Sequence, residues 1–146
     1  MSLDLPGITA SFTDLCDSPA FKPLLKVGGQ VESLSINDVS PGGDAFLIAV
    51  ISQLFSAQTI MVVCPTVQIQ EKVHQELKTW LLRLTKSSLQ PSNPQYFPAW
   101  DILPHESRLP HADVLSERLE TLIHLSTTKK GSTSSPLVVT NGIGFL

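Results

Sequence analysis

The sequence predicts an α/β fold, a parallel sheet flanked by helices, and three observations carry that prediction. Short apolar or alternating runs at residues 31–36, 59–64, 95–98 and 137–140 are separated by stretches with a helical repeat. Strands that alternate with helices lie parallel, because each crossover helix carries the chain back to the start of the sheet. The run TIMVVC at 59–64 has no polar side and reads as a strand covered on both faces. From Thr66 onward Val73, Leu77, Trp80, Leu81 and Leu84 recur at helical spacing, with Glu71, Lys72, Gln75, Glu76 and Lys78 turned to water.

The remaining elements follow in order. Residues 1–30 form a helical lead-in: Ser18-Pro19 supplies a helix start and Gly28-Gly29 its end. Residues 31–36 alternate apolar and polar side chains as a strand does, and a turn-rich loop, Asn37 to Gly43, follows. Residues 45–55 are apolar on nearly every side, so the helix predicted there is buried on more than one face. After the third strand Pro98, Pro104 and Pro110 each fix their own φ and bias the preceding residue to extended backbone, which makes an extended strap rather than a helix. Beyond His111 the repeat changes: Leu115, Leu119, Leu122 and Ile123 share one helix face, and Asp113 sits where a cap or first-turn acid is favourable. Gly142 and Gly144 after the last strand are poor helix residues.

With 146 residues, 42% of them hydrophobic, the chain can build one domain with a real core. A net charge of −3 with scattered Lys and Arg gives no basic footprint for nucleic acid. Cys16 and Cys64 stand far apart with no partners at metal spacing, which points to a reducing compartment. The start MSLDLPGITA lacks the basic and apolar regions of a signal peptide, and no apolar run approaches the roughly 20 residues of a membrane span. The chain therefore reads as a cytoplasmic globular protein with no membrane partner.

In a parallel sheet ligands gather at the carboxyl ends of the strands, and the first such end is the loop before the 45–55 helix. A working phosphate loop, G-x-x-x-x-G-K-[ST], cradles phosphates on backbone N–H groups, with Lys on the outer phosphates and a hydroxyl on magnesium. Here Gly42 and Gly43 are followed by Asp44 and Ala45. A carboxylate repels a triphosphate and alanine offers magnesium nothing. Asp44 reads as the helix cap, standing in for the anion. The fold is thus P-loop NTPase-like with a degenerate phosphate loop, and no cofactor is expected to bind there.

At this point the chain resembles a known family. The segment FPAWDILPHESRLPHADVLSERLETL, from Phe97 to Leu122, follows F-P-x-W-D-x-L-P-x-[DE]-x-x-x-P-H-x-[DE]-x-x-x-x-R-L-x-x-L through Phe97, Pro98, Trp100, Asp101, Leu103, Pro104, Pro110, His111, Arg118 and Leu119. Together with SPGGDA (40–45) and MVVCPTVQIQEKVHQELKTWL (61–81), it is similar to the N-terminal region of the bacterial transcription-repair coupling factors (Mfd). That region is itself similar to the first, helicase-like domain of the B subunit of the UvrABC excision nuclease. The resemblance implies that residues 31–146 are an incomplete domain of this kind, the N-terminal fragment of a larger protein. The parent would displace RNA polymerase stalled at DNA damage and recruit the excision machinery through the excinuclease A subunit. It would do so with a downstream ATP- and magnesium-dependent translocase on double-stranded DNA, a hydrolase. Within this chain the resemblance implies a non-catalytic scaffold that packs on other domains. The B subunit's aromatic β-hairpin would fall between Pro104 and Asp113, where this chain has no Tyr or Phe. The alternative is a stand-alone small nucleotide-binding or hydrolytic α/β protein with an atypical phosphate loop.

Other chemistry-bearing residues read structurally. His105, Glu106, His111 and Asp113 match no standard metal spacing, and Cys64 reads as a small buried hydrophobe. Trp100 is expected to anchor the strap to the core, and Asp101 to pair with Arg118 and fix the strap against its helix.

Overall fold

The computed structural model describes residues 19, 33–55, 58–84, 93–102, 106–128 and 136–145. The lead-in helix expected before residue 30 lies outside them, as do Leu103, Pro104 and His105 of the strap. The described elements run α1 (Gly43–Leu54), β1 (Ile60–Cys64), α2 (Val67–Leu84), β2 (Gln95–Tyr96), α3 (Ala112–Thr127) and β3 (Leu137–Asn141), closed by a 3-10 turn, Gly142–Phe145. The sheet is parallel in the order β1-β3-β2, so the last strand is its centre. β1 pairs with β3 from Ile60↔Leu137 to Cys64↔Asn141, and β2 from Gln95↔Val138 to Tyr96↔Val139. No helix among the described residues is long and apolar enough to cross a membrane.

The core sits between one face of the sheet and the pair α1 and α2. Leu137 and Val139 of β3, with Ile60, Val62 and Cys64 of β1, meet Ala45, Ala49 and Val50 of α1 and Val73, Leu77, Leu81 and Leu84 of α2. Alanine at 45 and 49 lets the two helices approach closely, and the Phe46 and Trp80 rings lock them edge to face with centroids 4.8 Å apart. α2 starts where its sequence says: the Thr66 hydroxyl accepts the Ile69 N–H at 3.3 Å, satisfying one of the free donors of the first turn. Every residue of β3 is buried, as a central strand of β-branched residues requires.

Three expectations need correction. The strand expected at 31–36 is not formed where it is described: residues 33–40 have no regular structure, and Leu34 and Ile36 are exposed. Alternation supplies an apolar face but no hydrogen-bonding neighbour, and no described strand lies beside this segment. β1 is a strand as predicted but is covered on one face only: Met61 and Val63 are about half exposed. The helix α3 forms where predicted, but its leucine stripe is not buried, and Glu117 and Glu120 are exposed as well. Leu115, Leu119, Leu122 and Ile123 are between 43% and 60% exposed, whereas Thr121 is its one buried residue. α3 is held against β2 by polar groups on its other side, and those bonds decide which face turns inward.

Candidate functional site

The strap from Phe97 to Asp101 is tied down by side chains from two helices, α2 and α3. Arg118 of α3 lies between two rings, its guanidinium carbon 4.1 Å from the Phe97 centroid and 4.2 Å from that of Trp100. Cation–π attraction favours this placement because the ring faces are electron-rich. The same guanidinium donates to the Pro98 carbonyl at 2.6 Å and to the Gly144 carbonyl at 3.1 Å, joining α3, the strap and the closing turn. Burial lowers its pKa from the ordinary value, the cost of drawing a cation partly out of water. One turn further on, the Thr121 hydroxyl donates to the Tyr96 carbonyl at 2.9 Å.

A second set of bonds reaches the same strap from α2. Gln70, fully buried, donates its Nε2 to the carbonyls of Phe97 and Val139, both at 3.0 Å. Its Oε1 accepts from Asn141 Nδ2 at 2.6 Å. Asn141 in turn accepts the Ile143 and Gly144 N–H groups on its Oδ1, both at 3.0 Å, and so starts the 3-10 turn. That turn needs glycine at 144, where a Cβ would run into the Thr140 hydroxyl. His74 bonds the Pro94 carbonyl at 2.9 Å through Nε2. Burial above all, and then Lys78, push its pKa down against the opposing effect of that bond, so His74 is a neutral donor. Among the described residues no buried side-chain nitrogen or oxygen lacks a partner.

Asp101 and Arg118 do not pair. Arg118 is satisfied by carbonyls, and the Asp101 carboxylate instead accepts the His111 N–H at 3.1 and 3.3 Å, fixing the approach to α3. His111 then serves as the helix cap, its Nδ1 accepting the Asp113 N–H at 3.4 Å. Trp100 anchors the strap through Arg118, and Pro110 and Leu119 lie at the surface side of the same unit. Gln70, Thr121 and Asn141 went unread in the sequence. Gln70 alone left a signal, a polar residue on the apolar stripe that continues through Val73, Leu77 and Leu81.

The glycine turn before α1 is built for a helix start. Gly42 takes a left-handed conformation (φ 82°), which only glycine adopts freely, and the Gly43 N–H closes a turn onto the Ser40 carbonyl at 2.8 Å. The cap position is Gly42 rather than Asp44, and it makes no side-chain cap bond. Asp44 lies one step inside, an exposed acid in the first turn, where it still opposes the positive end of the helix. Ala45 faces the core. Cys64 is buried, and its thiol is pushed up first by that burial and then by Asp44, which keeps it protonated and unreactive. No three His, Cys, Asp or Glu side chains among the described residues converge as a metal site would require.

These features define a class: a small parallel α/β unit whose polar side chains secure its own backbone and form no nucleophile, acid–base or metal constellation among the described residues. The chain is similar to the transcription-repair-coupling factor of Haemophilus influenzae, with 32% identity over 96 residues. That match covers 66% of this chain and 8% of the relative, so the chain corresponds to a small region of a much longer protein. No protein-family model matches the chain.

Proposed function

We propose that this chain is a non-catalytic scaffold module of a transcription-repair coupling factor. The observation that carries the reading is its 32% identity over 96 residues to a protein named for that role. In the parent, the motor that consumes ATP with magnesium lies downstream. RNA polymerase, the excinuclease A subunit and double-stranded DNA are that parent's partners, and this unit packs on its other domains. The fold is read as a P-loop-like unit similar to the first domain of the excinuclease B subunit, with a vestigial loop where that subunit has an intact one. Its support is the order of glycine turn, helix and parallel strand at Gly42, α1 and β1.

The non-catalytic part of the proposal rests on chemistry at the start of α1. The Gly43 N–H there is taken by the Ser40 carbonyl, the side chain beside it is the Asp44 carboxylate, and Ala45 is turned into the core. Neither side chain fits a magnesium-bound triphosphate. Titration of the protein with ATP and magnesium, followed by calorimetry, is expected to give no saturable binding. Micromolar affinity would overturn the scaffold reading in favour of a nucleotide-binding α/β protein.

A further inference from the structure

A groove of about 920 Å³ runs between α2 on one wall and the strap with the start of α3 on the other. That volume lies in the range of ligand clefts. Its floor is Tyr96, Pro98 and Trp100; of the three carboxylates along it, Asp101 holds the His111 N–H, and Glu71 of α2 and Glu117 of α3 stand on opposite walls. Neither makes an ion pair or hydrogen bond among the described residues, and both raise the pKa of the Tyr96 hydroxyl, whose largest shift comes from burial. The nearby positive charges are mostly committed: Arg118 to two backbone carbonyls, and Lys72 to Glu76 at 4.0 Å. Lys72 and Lys78 line the α2 wall of the same groove, Lys78 beside His74.

Two kinds of occupant are disfavoured by these groups. The floor is an edge strand, but its Tyr96 and Pro98 carbonyls are already taken by Thr121 and Arg118, so an added strand finds acceptors occupied. Nucleic acid would bring phosphates against Glu71 and Glu117. What complements two free carboxylates above an aromatic floor is a cation on an apolar stem. We propose that the groove binds a basic segment of a partner polypeptide. An Arg or Lys side chain enters between Glu71 and Glu117 beside Tyr96, and its neighbours lie on Pro98 and Trp100. The inference stands on the groove and does not depend on the scaffold reading.

The probes are fluorescein-labelled (Arg-Pro)4, (Glu-Pro)4 and an oligothymidylate, measured by anisotropy against the 146-residue protein. The (Arg-Pro)4 peptide is expected to bind saturably, and the other two are not. Glu71→Gln with Glu117→Gln should weaken it by about tenfold or more, as loss of charged partners does. Both positions are exposed, so the pair should unfold at the wild-type temperature, and each single change should show part of the loss. Asp38→Asn with Glu106→Gln removes the same charge outside the groove and should keep wild-type affinity. Absence of (Arg-Pro)4 binding, equal loss in both variant pairs, or equal binding of (Glu-Pro)4 or the oligothymidylate would each overturn the proposal.

Discussion

Arg118 is the side chain on which most of the strap depends, and it acts almost wholly on backbone. Its two carbonyl bonds and two ring contacts involve four positions, and only Phe97 and Trp100 contribute side chains. Arg118→Ala should cost on the order of 3 kcal/mol in urea unfolding, from charged hydrogen bonds lost and carbonyls left partly buried. Arg118→Lys should recover less than half of that, since a compact ammonium neither forks nor stacks. An alanine variant as stable as wild type would remove this role. His74 makes a different prediction. Its folded pKa lies below the ordinary imidazole value of about 6.5, so the unfolded chain binds the extra proton and folding loses stability as pH falls. The contribution is full above that value and fades as pH drops through the folded pKa. Between about pH 7.5 and about pH 5 the urea midpoint should therefore fall further for wild type than for His74→Gln. Equal falls would show that His74 does not titrate in this way.

Among the elements, α2 and α3 read equally well in the sequence and turned out differently. The stripe of α2 is buried as its spacing predicts, because it packs against α1 and the central strand. The stripe of α3 is equally periodic, yet Thr121 fixes the helix to β2 and Arg118 fixes it to the strap and the closing turn, which leaves the leucines outward. Periodicity locates a face; it does not say whether a neighbour is there to cover it. Substituting Leu122 and Ile123 by Gln should accordingly change stability by no more than about 0.5 kcal/mol each. Leu77→Ala in α2 should cost roughly 2–5 kcal/mol. Comparable losses at all three positions in thermal unfolding would return α3 to the core.

For the molecule as a whole, the α/β class, the parallel sheet and the positions of its three strands and three described helices were legible. Helix period, β-branched runs and proline punctuation are local signals. Strand order was not legible, since nothing local places Leu137–Asn141 between its two partners. Nor was the frame of the candidate site: Gln70 and Asn141 are 71 positions apart, and each looks ordinary alone. The absent strand at 31–36 is the converse case, a correct local pattern with no described neighbour to pair with. The central position of β3 has a measurable result. Its amides, flanked by strands on both sides, should be the slowest to exchange with deuterium, ahead of those of α3 with its exposed face. Faster exchange in β3 than in α3 would contradict the strand order.

The ties on the strap also bear on how such a unit could change its sequence and keep its shape. Gln70, Thr121 and Arg118 grip carbonyl oxygens at Phe97, Val139, Tyr96, Pro98 and Gly144, and every amino acid carries that oxygen. The gripped positions are therefore free, as far as these bonds go, to drift in side-chain identity, whereas the gripping ones are not. Kinship between distant copies of this frame would then survive in a few scattered polar letters, at separations no contiguous motif could capture.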